Sequence, residues 1–179
     1  MSVAVVIPYY NGSLLYLEEA IESVRASTIQ ADIIVVDDAS ATILPPFKKD
    51  IKLFKHSVNR GLAAARNTGI ALAKTEWILT LDCDDKIHPS YIEMALALQK
   101  ETGADIISSW LQTFGDYEKI RKPPSVPITF HMLFEQNRIN CCSLFSKKMW
   151  RKVGGFDEHP ILKKGYEDWD FWLRCVRAG

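Results

Sequence analysis

Trp77, Ile78, Leu79, Thr80 and Leu81 lead directly into Asp82, Cys83, Asp84 and Asp85, so a short apolar stretch ends in three carboxylates. Strand propensity carries residues 77–81 into a core, and the acids emerge at the carboxyl end, where open α/β sheets place their ligands. Like charges this close repel unless something neutralises them. For clustered carboxylates that is most often a hard divalent cation, with phosphate oxygens completing its coordination. A metal and phosphate site is therefore expected. The plain alternative is a cap for the helix starting near Pro89, although one acid suffices for a cap.

Two other loops carry usable chemistry. Pro8, Tyr9, Tyr10, Asn11 and Gly12 follow an apolar run and offer an aromatic platform that can stack a base. They lack the Gly-x-Gly-x-x-Gly of a dinucleotide site, and no Gly-x-x-x-x-Gly-Lys-Ser/Thr occurs, so a Rossmann dehydrogenase and a P-loop nucleotidase are disfavoured. Asp37, Asp38, Ala39 and Ser40 end a second run. A carboxylate there can accept from a pyrimidine ring N–H or a ribose hydroxyl, or can cap the next segment. Cys83, Cys141, Cys142 and Cys175 match neither a zinc spacing nor a disulfide framework. Strand alternation turns Cys83 away from Asp82 and Asp84, into the sheet. His56, His88, His131 and His159 show no metal-ligand spacing.

These loops need a scaffold, and the pattern of alternating strand and helix supplies one: an α/β fold with a mainly parallel central sheet flanked by helices. Residues 3–7, 33–36, 51–55, 77–81 and 104–109 read as strands. Leu14, Leu17, Ile21 and Val24 recur at helical spacing, with Glu18, Glu19 and Glu22 opposite. Residues 62–73 form a helix of small residues able to pack close to the sheet. Pro89 and Gly103 bracket another helix, with Met94, Leu96 and Leu98 inside. The Pro-rich residues 122–127 mark a loop, dividing 1–121 from 122–179 within one domain. Beyond it, 130–135 reads as a short helix, 141–145 as a strand and 171–176 as the start of a helix. With 22 acidic against 22 basic residues, nothing suggests a nucleic-acid partner, and Lys147, Lys148, Arg151, Lys152, Lys163 and Lys164 read as solvated surface. No run approaches a transmembrane segment. We expect a cytoplasmic location, free or peripheral to the inner face of the membrane.

Six segments in order resemble the inverting, nucleotide-sugar-dependent glycosyltransferases of family 2, with the GT-A fold. They are residues 6–11, 35–40, 59–69, the Asp-x-Asp at 82–85, 153–158 and 165–170. The resemblance implies Asp84 as ligand of a Mn²⁺ or Mg²⁺ ion, Asp82 at the ribose or indirectly at the metal, and Asp85 orienting the loop or a metal-bound water. Pro8, Tyr10, Asp38 and Arg66 would meet the nucleotide; the plain alternative for Arg66, not exclusive of that role, is an ion pair to Asp37 or Asp38 that shapes the site. Asn59 and Gly61 would form a turn.

Asp168 would be the base that deprotonates the acceptor hydroxyl. Glu167, Trp169 and Gly155 would serve the acceptor or sugar, with a turn as the alternative for Gly155 and core packing for Trp169; Trp172 is assigned to the core. Residues 140–143 would help select the sugar. The implied partners are a nucleotide-diphospho-sugar donor, UDP-linked by preference, and a carbohydrate, lipid-linked or polymer acceptor, as in cell-surface polysaccharide or glycoconjugate synthesis. Family members continue beyond a segment like 174–179, so a chain truncated at its C-terminus is expected. The alternatives are a non-catalytic nucleotide-sugar-binding module, a haloacid-dehalogenase-type phosphatase with Asp82 as nucleophile, and a nucleotidyltransferase.

Overall fold

The computed structural model describes residues 1–115, 117–124 and 126–179. Its first half runs Val3–Tyr9 (β1), Leu14–Arg25 (α1), Asp32–Asp37 (β2), Ile51–Lys55 (β3), Leu62–Leu72 (α2) and Trp77–Thr80 (β4). Tyr91–Thr102 (α3) and Ile106–Ile107 (β5) follow, then the hairpin of Leu111–Gln112 (β6) and Ile120–Arg121 (β7). Phe130–Glu135 (α4), Leu144–Ser146 (β8), Lys147–Lys152 (α5), a 3-10 turn at Pro160–Lys164 and Glu167–Ala178 (α6) complete the described elements.

The main sheet has the order β3-β2-β1-β4-β8-β5. Its first four strands are parallel, and β8 runs antiparallel to both β4 and β5. The expected mainly parallel sheet is thus present, and β8, from beyond residue 122, is built into it. Alternation along β1 sorts the core into two layers. Val3, Val5, Ile7 and Tyr9 pack with Leu17, Ile21 and Val24 of α1 and Ile92 and Ala95 of α3. Ala4 and Val6 face α2, Phe145, Phe171 and Trp172. Both faces being covered, the central strands read as continuous apolar runs.

Helix α2 lies close to the sheet because Ala64, Ala65 and Gly69 face it. A Cβ on Gly69 would come within 2.3 Å of Val6 Cγ1. Val6 is β-branched and fully buried, so it cannot swing clear. Gly69→Ala should therefore cost about 1–3 kcal/mol by overpacking, read as an earlier urea midpoint at unchanged slope. An unchanged midpoint would show that α2 can slide on the sheet.

Several boundaries differ from expectation for identifiable reasons. β5 spans two residues, not 104–109, because Asn140 Nδ2 takes the Ser109 carbonyl at 3.0 Å. The strand expected at 141–145 shifts to Leu144–Ser146: Thr80 Oγ1 donates to the Cys141 carbonyl at 2.6 Å and Tyr91 Oη to that of Cys142 at 2.8 Å, diverting both from a ladder. Helix α3 starts after Ser90, one residue beyond Pro89, and ends at left-handed Gly103. Within it Ile92 and Ala95 are buried, whereas Met94 and Leu98 face solvent. The β6–β7 hairpin had no clear signal, its strands being two residues each. Lys147 is not solvated surface. It is buried and donates from Nζ to the Ala71 and Ala73 carbonyls, 3.3 and 2.5 Å away, at the negative end of α2. Burial, then the nearby Arg151, pushes its pKa down. The side chains of Lys163 and Lys164, and Ser125 in the Pro-rich loop, lie outside the described residues.

Candidate functional site

After β1 the chain adds β2 and β3 on one side and β4 on the other, so the strand order reverses between β1 and β4. Open α/β sheets leave a crevice there, at the carboxyl ends of the strands. A cleft of ≈ 390 Å³ occupies it, the size of a small-ligand pocket. Pro8, Tyr9 and Tyr10 line it from β1, Asp38 from β2, and Asp82, Cys83 and Asp84 from β4. Asn59, Gly61, Leu62 and Ala65 close it from the start of α2.

Tyr10 is exposed, but Tyr9 is 2% exposed and donates from its hydroxyl to the Gly12 carbonyl at 2.6 Å. The aromatic platform is therefore Tyr10 alone. Two non-glycine residues beside it, Asn11 and Ala39, adopt positive φ. Their strain is held by Ser40 Oγ, which accepts from Asn11 N–H at 2.9 Å, and by Asn11 Oδ1, which accepts from Ala41 N–H.

The paired acids after β2 divide their work. Asp37 is buried and makes the turn: Oδ1 accepts from Ser40 N–H at 2.8 Å and Oδ2 meets Lys55 Nζ at 3.0 Å. Burial pushes its pKa up, but Ser40 and Lys55 outweigh that and the net shift is downward. Asp38 holds the approach to α2, accepting from the backbone N–H groups of Arg60 and Gly61 at 2.9 and 2.7 Å. It also meets His56 Nδ1 at 2.6 Å, while His56 Nε2 lies 2.9 Å from Thr68 Oγ1. An ionised carboxylate only accepts, so Nδ1 carries the proton. Asp38 Oδ1 is then saturated, and Oδ2 keeps one lone pair free. His56 showed no pairing in the sequence; its partner lies across a strand-to-helix connection.

The acids after β4 sit on a tight turn closed by Asp85 N–H donating to the Asp82 carbonyl at 3.0 Å. Asp84 is exposed at its tip on the cleft wall, with no hydrogen bond or ion pair among the described residues. Asp82 Oδ1 accepts from Arg66 at 2.7 Å, and its Oδ2 lies 3.4 Å from Cys141 Sγ. Burial, with Asp82 and Asp84 adding, raises the Asp85 pKa. Cys83 packs on the core as expected and also edges the cleft; burial, then Asp84 and Asp82, pushes its thiol up to about 11.

Arg66 is 1% exposed and bridges two carboxylates, Asp82 and Glu167, the latter at 2.5 Å. Burial opposes its charge, but the neighbouring groups together, Asp82 first among them and then Cys141 and Glu167, outweigh it and raise the pKa. Its Nε is buried without a partner among the described residues, and its guanidinium lies 5.5 Å from the Phe156 ring centre. The expected pairing with Asp37 or Asp38 does not form, since Lys55 and His56 occupy those acids. The Glu167 carboxylate is buried in this ion pair.

Asp168, next along α6, turns the other way. Asn137 Nδ2 donates to its Oδ2 at 3.1 Å and Trp169 N–H to its Oδ1 at 2.7 Å. Burial, then neighbouring Glu167, raises its pKa. Trp169 is half-buried and donates from its indole to the Leu133 carbonyl at 2.6 Å, tying α6 to α4; Trp172 is fully buried, as expected of core. Gly155 has φ +79°, and a Cβ there would meet Asn67 Oδ1 at 2.8 Å and Trp150 Nε1 at 3.0 Å. Asn67 also accepts from Phe156 N–H and donates to its carbonyl. The close approach that Gly155 permits is thus to Asn67, and the residue does not line the cleft.

The model of the family described as Glycosyl transferase family 2 matches residues 4–154. The chain belongs to that family. An Escherichia coli relative, UDP-Gal:alpha-D-GlcNAc-diphosphoundecaprenol beta-1,3-galactosyltransferase, is 28% identical over 96% of this chain and 66% of its own length. Bacillus subtilis YwdF, an uncharacterized glycosyltransferase, is 30% identical over 99% of this chain and 69% of its own. Among solved structures, S. aureus TarS 1-349 in complex with UDP superposes with a TM-score of 0.78 at 19% identity, covering 99% of this chain and 56% of TarS 1-349. The complex with UDP-GlcNAc gives 0.77 at 19%, covering 99% and 54%. This family 2 chain thus has the GT-A fold and spans about half of those TarS chains. Membership removes the phosphatase and nucleotidyltransferase alternatives.

Within the family 2 chain, Pro8, Tyr10, Asp38, Asp82 and Asp84 meet on one cleft, while Asp168, Glu167, Trp169 and Gly155 lie outside its lining. Arg66 joins the two groups from beneath. No local signal marks Asn137 as the partner of Asp168, 31 residues away. No helix among the described residues is long and apolar enough to cross a membrane.

Proposed function

We propose that this chain binds a nucleotide-diphosphate sugar, UDP-linked, and transfers the sugar with inversion to an acceptor hydroxyl in cell-surface polysaccharide or glycoconjugate synthesis. The observation that carries this is the meeting of Tyr10, Asp38, Asp82 and Asp84 on one cleft at the strand-order reversal. The UDP and UDP-GlcNAc complexes of TarS support a uridine nucleotide, and the E. coli relative's name supports a UDP-sugar donor and a lipid-linked acceptor.

The oxygen donors suit a hard divalent cation, Mn²⁺ or Mg²⁺, with Asp84 as its ligand and Asp82 beside it. When bound, the ion offsets charge on the departing diphosphate. Tyr10 supplies a face for the base, and the free lone pair on Asp38 Oδ2 accepts from a base N–H or ribose hydroxyl. Asp168 takes the acceptor proton as the acceptor oxygen bonds to the anomeric carbon and the nucleoside diphosphate leaves from the opposite face. Its raised pKa makes it a stronger base than an ordinary Asp, and Asn137 with Trp169 N–H orients it.

A second reading, donor binding without turnover, is favoured by Asp168 lying outside the cleft lining. Calorimetric titration with UDP, GDP and dTDP, with and without Mn²⁺, tests the donor site. UDP alone should bind, only with Mn²⁺, and Asp84→Ala should lose that binding while folding normally. Failure of UDP to bind overturns the donor assignment; binding with no release of UDP from UDP-sugars in the presence of acceptors selects the second reading.

A further inference from the structure

The loops after β4 and before β8 bring Asp85 together with two thiols that the hard-cation reading does not use. Asp85, Cys141 and Cys142 each offer a ligand atom, and these atoms all lie within 4.8 Å of one another. The two thiol sulfurs are 3.8 Å apart, and Cys142 Sγ is 3.7 Å from Asp85 Oδ2. Tetrahedral zinc, with Zn–S of about 2.3 Å and Zn–O of about 2.0–2.2 Å, has an S···S edge of about 3.8 Å and an S···O edge of about 3.5–3.7 Å. Two of the three donor separations therefore match edges of a coordination tetrahedron, and the third, Cys141 Sγ to the Asp85 carboxylate, lies within 4.8 Å.

The backbone is set by independent contacts. Thr80 Oγ1 holds the Cys141 carbonyl, Tyr91 Oη holds that of Cys142, and Asp85 closes its own turn onto Asp82. Both thiols are free and half-buried. Asp84 lines the cleft from the exposed turn tip, whereas Asp85 and the two thiols are absent from that lining; Asp82 stands between them, its Oδ2 3.4 Å from Cys141 Sγ.

We propose that Cys141, Cys142 and Asp85 form a binding site for a thiophilic divalent cation, typified by Zn²⁺, distinct from the Mn²⁺ or Mg²⁺ position at Asp84. Three protein donors leave the fourth position to water, and both thiols release their protons to solvent as the ion binds. The bound ion would hold Asp85, and with it the turn that carries Asp84.

The test uses the reduced, full chain and Co²⁺ as a coloured stand-in for Zn²⁺. One equivalent of Co²⁺ should give a thiolate-to-cobalt charge-transfer band, displaced by Zn²⁺ but not by Mg²⁺ or Mn²⁺, and lost in the Cys141→Ser/Cys142→Ser variant. On the unaltered chain, Zn²⁺ should slow iodoacetamide alkylation of Cys141 and Cys142 and leave Cys83 unchanged, followed by peptide mass spectrometry. The absence of the band, its survival in the serine variant, or alkylation of Cys141 and Cys142 unaffected by Zn²⁺ would overturn the proposal. None of these readouts depends on donor binding, so they stand or fall apart from the glycosyltransferase reading.

Discussion

Arg66→Met is expected to destabilise the fold by about 3–5 kcal/mol, because it leaves two carboxylates facing a low-dielectric interior without a counter-charge. Glu167 is 6% exposed, and Arg66 is its ion-pair partner among the described residues. Asp82, whose side chain is 30% exposed, retains some solvent and loses less. The methionine fills much of the volume, which separates lost pairing from lost packing. Urea unfolding of Arg66→Met, Glu167→Gln and the double variant forms a cycle. The double variant should be more stable than Arg66→Met alone, since it removes the stranded Glu167 charge together with its partner. A loss below about 1 kcal/mol for Arg66→Met would mean that the pair behaves as an exposed salt bridge.

Asp168→Asn should reduce turnover by about 10²–10⁴-fold, the usual contribution of a positioned general base, while leaving UDP affinity intact. Asn cannot take the acceptor proton, yet its size and its carbonyl allow the Trp169 N–H contact to persist. The pH dependence adds a second check. The folded-state pKa of Asp168 lies above the ordinary carboxylate value, chiefly through burial. The folded chain therefore holds that proton more tightly than the unfolded one. Ionisation costs stability at neutral pH, and the cost is relieved as pH falls through the raised pKa. Turnover should fall in the same window, because protonated Asp168 is no base. Comparing the parent with Asp168→Asn, the group's contribution to stability should rise toward acid while the rate drops. Unchanged turnover in Asp168→Asn would remove Asp168 from the mechanism.

Much of the scaffold was legible because its signals are local. The apolar runs of β1, β2 and β4 are continuous since both faces of a parallel sheet are covered, and the small residues of α2 announce a close helix–sheet contact. The short strands β5 and β8 were misplaced because their limits depend on which distant side chain takes a carbonyl: Asn140 on Ser109, Thr80 on Cys141 and Tyr91 on Cys142. Propensity carries no trace of such contacts.

The same division holds for the site. Residue order alone puts carboxylates at the ends of β2 and β4 and an aromatic after β1, and strand ends in an open sheet are bound to face one crevice. What each acid does there depends on contacts made across the fold. Asp37 became a turn and Asp38 a helix anchor because Lys55 and His56 reached them, and Glu167 became a buried counter-charge because α6, packed on α4 and α5, brings it to Arg66 of α2. Asp85 came to stand beside two thiols 56 and 57 positions away along the chain. A carboxylate has the same affinity for solvent, cation or guanidinium wherever it occurs in a sequence; which of them it meets is set by long-range packing, and the fold alone supplies that.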